Sequence, residues 1–156
     1  MTDKEILDSL NRQFFFAGFM EQDRQNKLIS AMGVGYNVYR SIWYINDHPE
    51  GVEPSAMASD LLVTRQTMTS TCDQLEKNGF INRTINPEDR RRILITLTDE
   101  GKDLAKKINA VIDCYHRKII EQASREDLEA YVRLRKKFCD IREVALEEAL
   151  KEIQPQ

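Results

Sequence analysis

The fold is decided by residues 54–81, which read PSAMASDLLVTRQTMTSTCDQLEKNGFI. Pro54 suits the first position of a helix, and the spacing of the apolar residues after it predicts about two helical turns. Thr64 is a typical capping residue, so a second and longer helix begins there and runs to about Asn78. Gly79 then supplies the left-handed residue that often follows a helix. A short and a longer helix joined by about three residues are typical of a helix-turn-helix.

Directly after this segment the apolar spacing changes from helical to alternating. Residues 80–85 and 93–97 alternate and are rich in β-branched side chains, which predicts two strands. The sequence between them, NPEDRRR at 86–92, is a polar turn, so we expect a hairpin with a charged tip. A hairpin that packs beside a helix-turn-helix forms a winged helix.

Helices are predicted on both sides of this segment. Residues 2–30 have helical periodicity and begin with capping-box spacing at Thr2, and residues 36–46 form a second helix after a glycine-containing break. Thr98 is a good start for a helix of some 24 residues, and Ser124 starts another. The fold class is therefore mainly α, with a small β-hairpin (an α+β winged helix).

The flanking helices carry apolar stripes that are longer than a small domain can cover. A helix of ~25 residues is nearly 40 Å long. An intramolecular bundle is one explanation, but we favour a symmetric dimer whose terminal helices interleave. We therefore predict an N-terminal dimerisation helix and linker at 1–33, a winged helix-turn-helix DNA-binding domain at 34–100 and C-terminal dimerisation helices at 101–156.

Composition excludes several classes of protein. The chain has 156 residues, of which 41% are hydrophobic and 31% charged, with 6 Gly and 4 Pro, so it is neither collagen-like nor wholly disordered. No apolar run is long enough for a membrane span, and the N-terminus lacks the layout of a signal peptide. Three cysteines do not make a disulfide framework, so we expect a cytoplasmic protein.

Enzyme chemistry has little support in the sequence. His48 and His116 have no matched partner at metal-binding spacing, and neither an HExxH motif nor a Gly-rich phosphate loop is present. Cys72, Cys114 and Cys139 lie on or beside apolar stripes, where buried small hydrophobic side chains are the better interpretation. We therefore predict no enzyme activity, no cofactor and no metal site.

The local charge favours DNA binding, although the net charge of the chain is −3. Residues 64–92 carry six basic and four acidic side chains. On the longer helix one face is polar and begins at the helix N-terminus, where side chains reach base edges. Arg and Gln offer bidentate geometry to guanine and adenine. That face contains Arg65, Gln66, Thr69, Ser70 and Asp73. A merely solvated helix face is the plainer interpretation.

The tip of the hairpin strengthens the DNA-binding interpretation. Three consecutive arginines, Arg90 to Arg92, repel one another and contribute nothing to a core. An arginine at a narrow loop tip has the shape needed to enter a minor groove. We expect Asp89 to position one guanidinium through a charge-assisted bidentate bond. The alternative is a turn that serves solubility alone.

The combined motifs resemble the MarR family of bacterial transcription regulators. They are PS…A…LLVTRQT within 54–67, LEKNGFI at 75–81, PEDRR at 87–91 and LTDEG at 97–101. The resemblance covers about 34–103 by motif. It implies a winged-helix homodimer that binds pseudo-palindromic promoter DNA and usually represses it. Leu62 stands at a turn position that glycine often holds in the family.

The resemblance also implies particular residues. By position, the base-reading stretch corresponds to Thr64, Arg65, Gln66, Thr67, Thr69 and Ser70, and the wing to Asp89, Arg90 and Arg91. In the family a small effector binds in a pocket that is often lined by aromatic residues, and its binding causes the protein to release the DNA. Here we expect the effector to be phenolic or lipophilic. Candidates for that pocket are Phe14, Phe15, Tyr36, Tyr39 and Trp43, which a core would explain equally well.

Two hypotheses of different classes remain open from the sequence. The first is a dimeric, sequence-specific DNA-binding regulator, with residues 64–78 in the major groove and 86–92 in the minor groove. The second is a winged-helix module that binds a protein partner without DNA. The arginine tip separates them, because a protein partner gives no reason for it.

Overall fold

The structure is a computed structural model that describes residues 1–87 and 89–153, and the backbone alone at 13–19. Its elements in chain order are α1 (Asp3–Ser30), α2 (Tyr36–Asn46), α3 (Pro54–Asp60), α4 (Arg65–Lys77), β1 (Ile81–Ile85), β2 (Ile93–Leu97), α5 (Asp99–Gln122) and α6 (Arg125–Ile153). The contacts divide the chain into two compact units, residues 1–111 and 112–156. The predicted winged-helix fold class is confirmed.

The helix starts follow from capping chemistry. Thr2 and Glu5 form the capping box of α1, with each side chain bonded to the backbone N–H of the other. Pro54 is in the first turn of α3, where its missing N–H costs nothing. At the start of α6 the Ser124 hydroxyl accepts the Asp127 N–H at 3.1 Å. These local signals explain why the predicted boundaries lie within about two residues of the observed ones.

The sheet is a two-stranded antiparallel hairpin. Its register pairs Ile81 with Leu97 and Ile85 with Ile93. On the other side of β2, Val52 and Ile95 exchange both backbone hydrogen bonds, at 3.0 and 2.8 Å. The chain that leads into α3 is therefore tied to the wing before the helix-turn-helix begins.

The unit 1–111 has one hydrophobic core in which every element of the winged helix takes part. The fully buried side chains, each below 2% exposed, include Ile42 and Ile45 of α2, Met57 of α3, Leu75 of α4, Ile95 of β2 and Ile108 of α5. Burial of one such side chain contributes about 1.5–3 kcal/mol. The core fixes α4 between α3 and the hairpin.

The unit 112–156 has a different character. Among its described residues, α6 buries no side chain at all. Cys114 and Cys139 are exposed, so the expectation that they are buried is wrong for the single chain; only Cys72 lies in the core. At Cys139 the apolar neighbours misled the prediction, because the apolar stripe of α6 is exposed in the single chain. Within 1–87 and 89–153, no helix has the length and apolar character that a membrane span requires.

Candidate nucleic-acid interface

The helix-turn-helix is confirmed at residues 54–77, with α4 as its second helix. Thr64 caps α4: its hydroxyl accepts the Thr67 N–H at 3.1 Å and lies 2.8 Å from the Thr67 hydroxyl. Two contacts hold α3 against α2, because Tyr44 donates from its hydroxyl to Asp60 and the Arg40 guanidinium donates to the Leu61 carbonyl. The first turn of α4 is therefore held in one orientation.

The two faces of α4 separate as predicted. Met68, Thr71, Cys72 and Leu75 are buried. Arg65, Gln66, Thr69 and Ser70 are exposed, whereas Thr67 is half-buried. The Thr69 hydroxyl donates to the Arg65 carbonyl at 2.9 Å. In the part of the chain that the structure describes, the side chains of Arg65, Gln66 and Ser70 have no hydrogen-bonding partner. These three side chains in the N-terminal half of α4 are therefore available to a ligand.

Asp73 has a different role from the other polar residues of its face. Its carboxylate accepts a hydrogen bond from the Arg83 guanidinium of β1. Arg83 Nε also lies 3.3 Å from a carboxylate oxygen of Glu76. The hydrogen bond to Asp73 is the main reason why the pKa of Arg83 rises. This ion pair ties the wing to the outer face of α4, and the alternating sequence of β1 gave no hint of it.

The motif LTDEG at 97–101 connects the end of α4 and the wing to the start of α5 through hydrogen bonds. The Thr98 N–H donates to the Phe80 carbonyl at 3.0 Å, and the Thr98 hydroxyl donates to the Gly79 carbonyl at 2.6 Å. The same hydroxyl accepts the Gly101 N–H at 3.0 Å. A Cβ on Gly101 would overlap the Phe80 carbonyl. Thr98 and Gly101 therefore set the angle at which α5 leaves the winged helix.

The wing tip divides its arginines into two kinds. Arg92 is exposed but forms ion pairs within the chain, at 2.9 Å from Glu53 and 3.3 Å from Asp89. Asp89 also accepts the Arg91 backbone N–H at 3.0 Å. The expected bidentate bond is therefore wrong in detail, because one carboxylate is shared between a guanidinium and a backbone amide. Across 1–87 and 89–153, the guanidinium groups of Arg90 and Arg91 have no partner.

The predicted effector residues are only partly brought together. Tyr36 lines a cleft of about 680 Å³ between the end of α1, the start of α2 and α4, which also contains Gln66 and Ser70. Tyr39 packs beside Tyr36 with ring centroids 5.9 Å apart, and burial raises its pKa. Trp43 is half-exposed and, like Tyr39, is not among the described residues of the cleft. The side chains of Phe14 and Phe15 lie outside the described residues.

Comparison with known proteins agrees with this geometry. The sequence model of the MarR family matches residues 39–93. The HTH-type transcriptional regulator PrsX of Escherichia coli is 28% identical over 118 residues, which cover 75% of this chain and 71% of PrsX.

Two solved structures show the same fold. A cysteine-to-serine mutant of MarR from E. coli has a TM-score of 0.68 at 17% identity, covering 89% of this chain and 97% of that one. CouR from Rhodococcus jostii RHA1, solved bound to p-coumaroyl-CoA, has a TM-score of 0.60 at 24% identity, covering 90% and 88%.

The fold, the exposed face of α4 and the relatives together define a class: the chain is a DNA-binding transcription regulator with a winged helix-turn-helix. The family match at residues 39–93, the curated relatives and the structural neighbours all support the MarR family. Members of this family are transcription regulators and not enzymes, which agrees with the sequence prediction. The described residues also contain no group of three or more side chains able to hold a metal ion.

Proposed function

We propose that this chain is a homodimeric repressor that binds a pseudo-palindromic operator and is released by a small aromatic or lipophilic molecule. The observation that carries the proposed DNA-binding geometry is that, among the described residues, the side chains of Arg90 and Arg91 at the wing tip and of Arg65, Gln66 and Ser70 on α4 have no hydrogen-bonding partner. A buried or internally paired set would leave nothing for a ligand to bind.

In this proposal α4 enters the major groove with its N-terminal turn foremost. Arg65 and Gln66 read base edges, because both side chains are exposed and neither is hydrogen-bonded to another described residue. Ser70 lies one turn further along the same face. Thr64, Thr67 and Thr69 are proposed to contribute mainly through backbone and phosphate contacts, since their hydroxyls already have partners in the cap and along the helix.

The wing is proposed to place Arg90 and Arg91 in the adjacent minor groove. A narrow minor groove has an enhanced negative potential that attracts guanidinium groups. Asp89 supports them indirectly, because it holds the Arg91 backbone and pairs with Arg92. Arg92 in turn reaches Glu53, which precedes α3, so the loop tip is fixed to the helix-turn-helix.

The dimer is proposed from the exposed apolar face of α6. Tyr131, Leu134, Phe138 and Ile141 recur at helical spacing and are between 44% and 59% exposed. Exposed apolar patches of this kind mark interaction sites. A two-fold dimer would present two copies of α4 to successive major grooves, about 34 Å apart, which suits a palindromic operator. Dimerisation helices at 1–33 and 101–156 remain part of the proposal.

Release by an effector is proposed for the cleft that Tyr36 lines. The cleft is bounded by Gln66 and Ser70 of α4, so an occupant would lie against residues that face the DNA. CouR, which shares the fold, binds an aromatic acid as its CoA ester, and this supports a phenolic acid as the effector class. A regulator of promoter DNA acts in the cytoplasm, where we place the protein.

The test is fluorescence anisotropy on duplex DNA from upstream of its own gene, across a salt series. The wild type is expected to give a slope of log K against log salt of several units, since each neutralised phosphate contributes about 0.9. The R90A/R91A variant is expected to bind weakly to all duplexes and to lower that slope by about two. R65A and Q66A are expected to cost about 1–3 kcal/mol at particular base pairs only.

Lys106→Ala provides the control, because it also removes one exposed positive charge, here on α5. It is expected to leave operator affinity and salt slope close to wild type. Wild-type affinity in R90A/R91A, R65A and Q66A together would refute the assignment of α4 and the wing. A flat response of the wild type to every duplex would favour the protein-partner hypothesis. Release by an effector is tested by adding p-coumarate, which is expected to lower operator affinity.

A further inference from the structure

Two helices of the helix-turn-helix end in the same hydrogen-bond pattern. At the end of α4, the Phe80 N–H donates to the Leu75 carbonyl and the Gly79 N–H donates to the Glu76 carbonyl, both at 2.9 Å. This is the Schellman motif, which places the residue after the helix cap in the left-handed region. Gly79 meets that requirement with a φ of +74° at no steric cost.

The end of α3 repeats the pattern with a residue that is poorly suited to it. The Val63 N–H donates to the Ala58 carbonyl at 3.0 Å, and the Leu62 N–H donates to the Ser59 carbonyl at 3.1 Å. The left-handed position is Leu62, with a φ of +52°, and it is the one non-glycine residue with positive φ among those described. A side chain with a Cβ loses roughly 1–2 kcal/mol in this conformation.

Nothing in the described chain offsets this strain through packing. The Leu62 side chain is 90% exposed. In a Schellman motif the apolar contact comes from the following residue, which here is the half-buried Val63. Glycine or asparagine at 62 would make the same turn with less strain and without an exposed apolar group. Local strain kept without an internal benefit points to a functional contact.

The position of Leu62 indicates what it contacts. One residue separates it from Thr64, the cap of α4, and Arg65 follows at once. The turn is rigid, since Leu61 is buried and its carbonyl accepts a hydrogen bond from Arg40. The isobutyl group is therefore held outward beside the end of α4 that is proposed to enter the major groove. The apolar groups at that edge are thymine methyls and deoxyribose carbons.

We propose that Leu62 contacts the operator DNA through an apolar surface at the groove edge and contributes to affinity there. This inference rests on the proposed function of α4 and adds a contact that the polar face does not supply. The apolar side chain at 62 takes up space against DNA that a glycine in this turn would leave open. Its strained backbone is the structural cost of that contact.

The test measures stability and affinity in the same variants. Leu62→Asn is expected to raise the thermal unfolding midpoint, because asparagine tolerates the left-handed conformation. The same variant is expected to bind the operator about 5- to 10-fold more weakly, because it loses the apolar contact. Opposite signs for stability and affinity exclude general structural damage. Leu62→Gly is expected to weaken binding similarly, whereas Leu62→Met keeps the apolar bulk and stays within about 2- to 3-fold of wild type.

Modified DNA identifies the group on the DNA that Leu62 contacts. Replacing each thymine of a half-site by deoxyuridine removes one methyl group at a time. If Leu62 contacts a methyl group, the wild type loses affinity when one particular thymine is replaced, and Leu62→Asn does not. If Leu62 contacts deoxyribose, each replacement changes the affinity of the two proteins equally. Both results support the inference, provided that Leu62→Asn binds the unmodified operator more weakly than the wild type. Wild-type affinity in Leu62→Asn and Leu62→Gly, while R90A/R91A still loses binding, would overturn it. Loss of the proposed function itself would show as a wild type without operator preference.

Discussion

The unit 1–111 and helix α6 use the same kinds of apolar side chain in opposite ways. In 1–111, every element of the winged helix contributes isoleucine, leucine or methionine residues that are at most 2% exposed. In α6, whose described residues include Leu134, Phe138 and Ile141, no side chain is buried. Hydrophobic periodicity therefore indicates which face of a helix is apolar, but not whether the chain itself or another molecule covers it.

The difference has a thermodynamic consequence. A core closed by contacts within one chain has a stability that is independent of protein concentration. A helix that buries its apolar face only against a second chain is stabilised by mass action, so its melting temperature depends on concentration. The two regions should therefore respond differently to substitution, and this is the basis of the predictions that follow.

The largest effect is expected at Gly101, where the winged helix meets the start of α5. Gly101→Ala would place a Cβ against the Phe80 carbonyl and 3.2 Å from Leu97 Cδ2. Since backbone must move to relieve the overlap, we expect the free energy of unfolding to fall by about 3 kcal/mol or more. Urea denaturation at two protein concentrations gives the measurement. The loss should be the same at both, because the contact lies within one chain.

Gly35→Ala is the matched control for that substitution. Gly35 caps α2 with an ordinary φ of −71°, and a Cβ there has nothing within 4 Å. The expected cost is less than about 1 kcal/mol, because alanine is only a poorer N-cap than glycine. Equal losses at Gly101 and Gly35 would contradict the close approach of α5 to Phe80.

The second effect concerns α6 and depends on concentration. Phe138→Glu places a charge in the centre of the exposed apolar stripe, so we expect the proposed dimer to dissociate. Sedimentation equilibrium should give twice the chain mass of 18.2 kDa for the wild type and the chain mass for the variant. Operator affinity should fall when the dimer dissociates, because a monomer contacts only one half-site.

Lys136→Glu introduces the same residue on the opposite face of α6 and serves as the control. It should leave the dimer intact. A wild type that stays monomeric at micromolar concentration would contradict the proposed use of α6 and leave its apolar face for another partner. Dissociation by both variants would indicate an effect of charge alone.

The sequence predicted the elements of the winged helix well because their signals are local. Caps such as Thr64, the left-handed Gly79 and the alternation of β1 and β2 each depend on a few neighbouring residues. The buried and exposed faces of α4 also followed from periodicity alone. These features decide the fold class before any long-range contact is known.

Long-range ion pairs and burial between elements were not predictable in this way. Arg83 reaches Asp73 across ten residues, and Arg92 reaches Glu53 across 39. The sequence did not indicate that Arg92 pairs with Glu53, and this pair separates Arg92 from the other two wing arginines. Likewise, the apolar neighbours of Cys139 could not reveal that this stripe is uncovered in the single chain.

The smallest effect tests burial at a single thiol of the core. Burial raises the pKa of Cys72 above its ordinary value of 9.0, and this outweighs the opposing charge of Arg83. The folded state thus holds the proton more tightly than the unfolded state, so Cys72 contributes its full stability below about pH 9 and loses it as the pH rises through the folded pKa.

Urea denaturation of the wild type and Cys72→Ala at about pH 8 and about pH 10 measures this contribution. At the lower pH we expect the wild type to be more stable than Cys72→Ala, because alanine leaves a small cavity. At the higher pH we expect this difference in the free energy of unfolding to shrink, because the thiol ionises on unfolding. Cys139→Ala removes an exposed thiol and controls for the loss of a cysteine as such. If the difference in the free energy of unfolding between wild type and Cys72→Ala is the same at both pH values, burial does not raise the pKa of Cys72. That result would weaken the contrast between the buried core of 1–111 and the exposed apolar face of α6.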